Sequence, residues 1–163
     1  MMLLRKVISG GQTGVDRAGL DAAMKAGIPV GGYCPRGRLA EDGTIPEEYP
    51  MIELESIEPY YRTEQNVIQS DGTLLLNKGI LTEGTKLTYD FTVRYGKPRL
   101  IVQLDDDKMI TQEQVIRWIK GHFINALNIA GPRESKFPEG IYSEAFAYLE
   151  KIFTLLKEGS STT

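Results

Sequence analysis

The stretch LLRKVISGGQTGVDRAGLDAAMKAG, residues 3–27, decides the fold class. Residues 3–8 form a short apolar run that predicts a buried strand, and the glycine-rich segment 9–14 ends it. Apolar residues then recur at helical spacing over residues 15–26, and Gly27 is well placed to terminate that helix. The stretch therefore predicts a strand, a glycine-rich turn and a helix.

The rest of the chain repeats this alternation. Short apolar strands followed by amphipathic helices predict an α/β fold: a doubly wound parallel sheet with helices on both faces. Residues 35–50 are polar without a clear period, which predicts an unstructured connection of the kind that is often functional. The further strands are predicted at residues 28–33, 73–76, 99–104 and 125–130, and the further helices at 62–69, 85–95, 111–118 and 143–157. Thr111 is predicted to cap the helix at 111–118.

Length and composition narrow the class of protein. The 163 residues suit a single domain, which we expect at residues 1–157, followed by a flexible tail at 158–163. A net charge of −3 gives no general attraction to nucleic acid or to an anionic membrane. One cysteine and one histidine argue against a disulfide and against a zinc site. No signal peptide or membrane span is visible, so we expect a cytoplasmic protein.

The loop after the first strand is the strongest candidate for a binding site. Ligands of open parallel sheets bind beyond the carboxyl ends of the strands. Glycines at 10, 11 and 14 allow close backbone approach, and the helix that follows aims free N–H groups at an anion. Gln12 and Thr13 add donors, and Arg17 lies one turn into the helix. A tight turn without a ligand remains the alternative, and neither a Walker P-loop nor a dinucleotide fingerprint is present.

Three further loops, at residues 36–38, 84–85 and 131–135, are predicted to form parts of the same anion pocket. Arg36 and Arg38 flank a glycine, and guanidinium groups bind oxyanions with two parallel hydrogen bonds, although pairing with nearby acids is equally open. Gly84-Thr85 can open a second helix, or simply start one. The predicted binding residues are Gly11, Gln12, Thr13, Gly14, Arg17, Arg36, Arg38, Gly84, Thr85, Gly131, Arg133 and Ser135, and no catalytic or metal-binding residue is assigned.

Several long motifs are spread over nearly the whole chain: GGQTGVDRAGLD (residues 10–21), PRGR (35–38), AEDGTIP (40–46), SDGT (70–73) and NIAGPRES (128–135). Together they resemble the molybdenum carrier family, which includes the molybdenum cofactor carrier proteins. That family is similar to the lysine-decarboxylase-like (LOG) group of Rossmann-like nucleotide-binding proteins, in a circularly permuted arrangement.

The resemblance implies a Rossmann-like carrier that holds molybdenum cofactor or molybdate without turnover and hands it to molybdoenzymes. It also implies a homo-oligomer, specifically a tetramer. LOG enzymes, which cleave ribose phosphate from nucleotides, carry an essential glutamate in the motif Gly-Gly-x-Gly-Thr-x-x-Glu. If Gly84-Thr85 align with that motif, Thr88 stands where the glutamate belongs, which weakens the hydrolase hypothesis.

Two alternatives remain open from the sequence. One is a nucleotide phosphoribohydrolase that uses a shifted acid, either Asp71 or Asp90. The other is a nucleotide-sensing module that binds its ligand and signals through a partner. Asp16 and Asp21 are interpreted as surface residues, because one face of a helix is usually solvated.

Overall fold

The computed structural model describes residues 4–161, over which short strands and five α-helices alternate. The strands are β1 (Lys6–Ile8), β2 (Val30–Gly31), β3 (Tyr33–Cys34), β4 (Leu39–Ala40), β5 (Gly43–Thr44), β6 (Ile52–Glu53), β7 (Gly72–Asn77), β8 (Arg99–Gln103) and β9 (Ala126–Ala130). The helices are α1 (Val15–Lys25), α2 (Pro59–Ile68), α3 (Glu83–Arg94), α4 (Gln112–Gly121) and α5 (Ile141–Ser161), with a short 3-10 helix at Glu134–Lys136.

The main sheet has five strands in the order β2-β1-β9-β7-β8, and all of its pairings are parallel. The connection through α1 leads outward from β1 to β2, and the connection through α3 leads outward from β7 to β8. The last strand in the chain, β9, lies in the centre. The predicted α/β, doubly wound parallel sheet is confirmed, and each predicted strand of the sheet is present.

The two faces of the sheet differ in character. On β9, Leu127 and Ile129 belong to the main core, which they share with residues of α1, α4 and α5. Asn128 and Ala130 alternate with them and therefore face the opposite side, where α2 packs on α3. On that side the Asn128 amide donates to the Thr73 hydroxyl (3.2 Å). The side of α2 and α3 thus has a polar floor.

The segment after β2 differs from the prediction. The strand expected at residues 28–33 is divided at Gly32 into β2 and β3. Gly32 has φ +132°, and a Cβ there would lie 2.0 Å from the Ser9 carbonyl oxygen, so only a glycine allows the chain to turn at this point. The prediction that residues 35–50 are unstructured is wrong, because β4 and β5 pair with each other within this stretch. The strand before the stretch, β3, pairs with the strand after it, β6. We call the segment from β3 to β6, residues 33–53, the arm. A small apolar core holds the arm against α1 and consists of Leu20, Cys34, Ile45 and Tyr49.

The ends of the helices agree with the predictions less closely than the strands do. Thr111 caps α4 in a full capping box with Gln114, as expected, whereas α2 begins at Pro59 rather than residue 62. Helix α5 continues through Ser161, so residues 158–161 of the predicted tail are helical, since no proline interrupts them. Residues 1–3 and 162–163 of the predicted domain and tail lie outside the described residues.

The helices are too short or too polar for membrane spans. Within residues 4–161, none of them has both the length and the apolar character that crossing a bilayer requires.

The approach of Gly14 to the loop after β9 is tight enough to test. Gly14 has φ +78°, and a Cβ there would lie 2.4 Å from the Pro132 carbonyl oxygen. We expect Gly14→Ala to lower the free energy of unfolding by about 3 kcal/mol or more, because backbone strain adds to a steric overlap. Urea denaturation measures the change.

Gly27→Ala is the matched control, because Gly27 has φ +77° and a Cβ there would contact nothing within 4 Å. Its cost should stay near that of the backbone conformation alone, about 1 kcal/mol. Equal losses in the two variants would contradict a close approach at Gly14.

Candidate functional site

A cleft of about 270 Å³ opens at the carboxyl edge of the sheet, on the side of α2 and α3. Its floor is formed by the ends of β1 and β9, and its walls by α2 and by the first turn of α3. The loop after β9 and the 3-10 helix close the remaining side. The residues that line it are Gly10, Gln12, Asp16, Pro59, Arg62, Thr63, Asn66, Thr82, Glu83, Gly84, Thr85, Thr88, Asn128, Ile129, Ala130, Gly131, Pro132, Arg133 and Lys136.

The start of α3 presents unused backbone donors to this cleft. Thr82 is the N-cap residue, but its side chain accepts a hydrogen bond from Lys136 Nζ and does not cap the helix. Its carbonyl accepts from the amides of Thr85 and Lys86. The amides of Glu83 and Gly84 have no partner among residues 4–161. Free amides at the positive end of a helix dipole form a binding site for an anion.

Three cationic side chains line the same cleft. Arg133 contributes from the loop after β9, Lys136 from the 3-10 helix, and Arg62 from α2. Arg133 Nη1 is bound to Glu83 Oε2 at 2.5 Å, and its Nε lies 3.2 Å from Glu41 Oε2. An anionic ligand that reaches Arg133 must therefore compete with the Glu83 carboxylate.

Asp16 is the buried acid of the cleft. Asp16 lies in the first turn of α1, directly after the glycine-rich loop. The residue is only 8% exposed. Oδ2 accepts a hydrogen bond from the Gln12 amide (3.3 Å). Burial raises the pKa of Asp16 from 3.8 to about 6, although the positive charge of Arg62 opposes the shift. Asp16 is therefore a buried group that titrates close to neutral pH, and not the surface residue that the sequence predicted.

The structure brings five of the twelve predicted binding residues together. Gln12, Gly84, Thr85, Gly131 and Arg133 line the cleft. The other predicted residues, Gly11, Thr13, Gly14, Arg17, Arg36, Arg38 and Ser135, are not among the residues that line it.

Of the three predicted arginines outside the cleft, Arg17 and Arg38 are used in the fold. Arg17 pairs with the Asp42 carboxylate through two hydrogen bonds (2.6 and 2.9 Å) and donates to the Gly11 carbonyl. Arg38 donates to the backbone carbonyls of Ile45, Pro46 and Tyr49, which closes the arm. Arg36 is exposed. Because Arg17 and Arg38 stabilise the arm and Arg36 lies on its surface, we leave these three residues out of the proposed site.

The remaining predicted residues support the walls of the cleft. Glu41 accepts hydrogen bonds from the hydroxyls of Thr13 and Ser135 and from the Ser135 amide, so the arm is fastened to the loop after β9. The Gly11 amide donates to the Ser9 hydroxyl (3.2 Å) and is therefore not free for a ligand.

Sequence reasoning missed Asp16, Arg62 and Lys136. The signal for Arg62 was available in α2, where residues 59, 62, 63 and 66 recur at the spacing of one helix face and three of them are polar. Thr63 and Asn66 are buried on that face, and a buried polar face indicates a polar cleft. The sequence alone did not show that α2 packs against α3 and β3. In that position Arg62 Nη1 lies 2.9 Å from the Gly10 carbonyl.

Comparisons with known proteins identify relatives. Residues 7–153 match the model of the circularly permutated YpsA SLOG family. A crystal structure of a "putative molybdenum carrier protein" from Syntrophus aciditrophicus SB is 46% identical, with a TM-score of 0.85, over 93% of this chain and 95% of that one. No curated protein matches the chain significantly. These findings confirm the resemblance that the sequence motifs carry.

The pKa of Asp16 makes a prediction about stability. The folded protein holds this proton more tightly than the unfolded chain, so stability present below pH 4 is lost as the pH rises through about 6. Asp16→Asn removes the titration. We expect the free energy of unfolding of the variant, relative to wild type, to rise by about 2–3 kcal/mol between pH 4 and pH 8. Urea denaturation at each pH measures it, and a constant difference would contradict the assignment.

Proposed function

The chain belongs to the circularly permutated YpsA SLOG family, and from this we propose that it binds and carries molybdenum cofactor, or molybdate, in the cleft without turnover. The proposed ligand is therefore a phosphate-bearing pterin, in the case of molybdenum cofactor, or an oxyanion, in the case of molybdate. The name of the structural relative from Syntrophus aciditrophicus supports a molybdenum-related ligand.

The observation that supports the proposal most strongly is the set of donors at the start of α3. The Glu83 and Gly84 amides are unpaired within the described chain and open onto the cleft beside Lys136 and Arg133. Charge-assisted hydrogen bonds from such groups suit the oxygens of a phosphate or of an oxomolybdenum centre. No covalent chemistry is needed to hold such a group.

Binding without turnover is supported by the positions of Thr88 and of the two acids that the sequence suggested for hydrolysis, Asp71 and Asp90. Thr88 lines the cleft, and its hydroxyl donates to the Gly84 carbonyl (2.8 Å), so no carboxylate occupies that position. Asp71 accepts hydrogen bonds from the amides of Asn125 and Ala126, and Asp90 pairs with Lys86. Neither acid is among the residues that line the cleft.

Asp16 keeps a second candidate function open, hydrolysis of a nucleoside monophosphate. It is a carboxyl group inside the cleft, with a pKa of about 6 that suits a general acid or base. In such a hydrolase Asp16 would take the acid–base role for which the sequence suggested Asp71 or Asp90. A nucleotide-sensing module would bind the same compounds without releasing the base.

The recipient of the cargo and the assembly of the protein stay predictions. A carrier hands its cargo to molybdoenzymes, and the family resemblance implies a tetramer. Light scattering of the purified protein measures the assembly directly.

Calorimetric titration of the purified protein with molybdenum cofactor, with molybdate and AMP in parallel, tests the proposal. We expect a dissociation constant of about 1 μM or lower for the cofactor and weaker binding of AMP. Arg133→Gln and Lys136→Gln should each weaken cofactor binding by about tenfold, because each removes a charge-assisted hydrogen bond.

Arg36→Gln is the matched control, since Arg36 is exposed and lies outside the cleft. An effect of Arg36→Gln equal to that of Arg133→Gln would contradict the site. Incubation with AMP, followed by chromatography of the products, separates carrier from hydrolase. Release of adenine that Asp16→Asn abolishes would favour the hydrolase.

A further inference from the structure

We propose that Glu83 is an internal competitor of the ligand: its carboxylate binds Arg133 where the anionic group of the cargo would bind it, and this competition lowers the affinity of the cleft. A carrier has to release what it binds, and a carboxylate that returns to Arg133 as the cargo leaves favours release. The inference rests on the proposed function, because it names a residue that sets how tightly the same site holds its ligand.

The Glu83 carboxylate lies at the anion site itself. Glu83 is the first residue of α3 and lines the cleft, and its amide is one of the two unpaired donors there within residues 4–161. Its Oε2 lies 2.5 Å from Arg133 Nη1. An acid in the first turn of a helix also interacts favourably with the positive end of the helix dipole. One carboxylate thus engages both the helix end and the guanidinium that the proposed function gives to the ligand.

Two acids line the cleft, Asp16 and Glu83. Within residues 4–161, Asp16 forms no ion pair, whereas Glu83 is paired with Arg133. Competition for a cation of the anion site is therefore assigned to Glu83.

The two sides of the Arg133 guanidinium are held differently. Its Nε donates to the Ser135 hydroxyl (3.1 Å) and lies 3.2 Å from Glu41 Oε2. Glu41 is itself fixed by the hydroxyls of Thr13 and Ser135, so several contacts hold this side. The contact of Nη1 with Glu83 is a single ion pair between side chains that are 41% and 51% exposed, and exposed pairs contribute little free energy. The bond to Glu83 is therefore the one that a ligand displaces.

The backbone of Glu83 is a second, independent observation. Glu83 has φ +49°, in the left-handed region that residues other than glycine seldom adopt. A glycine would take this conformation without strain, and the exposed side chain of Glu83 gains little from packing in return. Strained residues of this kind cluster at ligand-binding sites. Here the strained residue is the one whose carboxylate binds Arg133.

Calorimetric titration of Glu83→Gln with molybdate and with molybdenum cofactor tests the inference. The substitution keeps the size of the side chain and removes its charge. We expect each ligand to bind the variant about fivefold more tightly than wild type, because it no longer competes with a carboxylate for Arg133. The pH and the ionic strength are kept constant throughout, since salt screens exposed charges.

Asp90→Asn is the matched control. It removes one negative charge from the same helix, and the pair of Asp90 with Lys86 is as exposed as that of Glu83 with Arg133. Asp90 lies outside the cleft, so both affinities should stay within about twofold of the wild-type values.

A double variant separates competition for Arg133 from simple charge repulsion. In an Arg133→Gln background the carboxylate has no guanidinium to occupy, so adding Glu83→Gln should change the affinity by less than about twofold. A gain that persists in full without Arg133 would mean that Glu83 only repels the ligand, and the inference would be wrong.

An unchanged affinity in Glu83→Gln, or an equal gain in Asp90→Asn, would also overturn the inference. If circular dichroism shows that Glu83→Gln does not fold, Glu83→Gly takes its place and should show the same gain, since glycine tolerates the positive φ. A wild-type protein that binds molybdenum cofactor, with no gain in the variant, keeps the proposed function and loses the competition by Glu83. If neither wild type nor variant binds the cofactor or molybdate, both are lost.

Discussion

The central position of β9 is the constraint on which the cleft depends. The strand pairs in parallel with β1 and with β7, so the loop that follows it emerges between the starts of α1 and α3. Gly131 makes this convergence possible: a Cβ there would lie 2.3 Å from the Leu76 carbonyl oxygen and 2.7 Å from Val15 Cβ. In doubly wound folds the central strand usually begins the chain. Here it comes last, in agreement with the circular permutation that the family description states.

Charge is distributed between two tasks in this protein. The arm uses Arg17 and Arg38 to bind Asp42 and backbone carbonyls, which satisfies their donors without a ligand. The cleft holds Arg62 and Lys136 with no carboxylate partner among the described residues, and Arg133 is held by Glu83 and Glu41. A place in the lining of the cleft, and not the presence of an arginine in a glycine-rich loop, thus separates candidate binding residues from structural ones.

The sequence predicted the parts of the fold that local patterns encode. Apolar runs located each strand of the sheet, and Thr111 and Gly27 identified helix ends, since caps and periodicity are local. The arm was missed because its two-residue strands are stabilised by distant partners, such as Cys34 against Leu20. Asp16 was assigned to the surface because its surroundings include residues far apart in the chain, such as Arg62 of α2, which reaches the Gly10 carbonyl beside the Asp16 carboxylate.

The central claim is that the first turn of α3 binds the anionic group of the ligand in the cleft. Amide shifts of ¹⁵N-labelled protein during titration with molybdenum cofactor test it most directly. The account predicts the largest shifts at the Glu83 and Gly84 amides, which are unpaired within residues 4–161, with further shifts at Gly131 and Asp16. Shifts concentrated in the arm around Arg36, with the α3 amides unchanged, would contradict it.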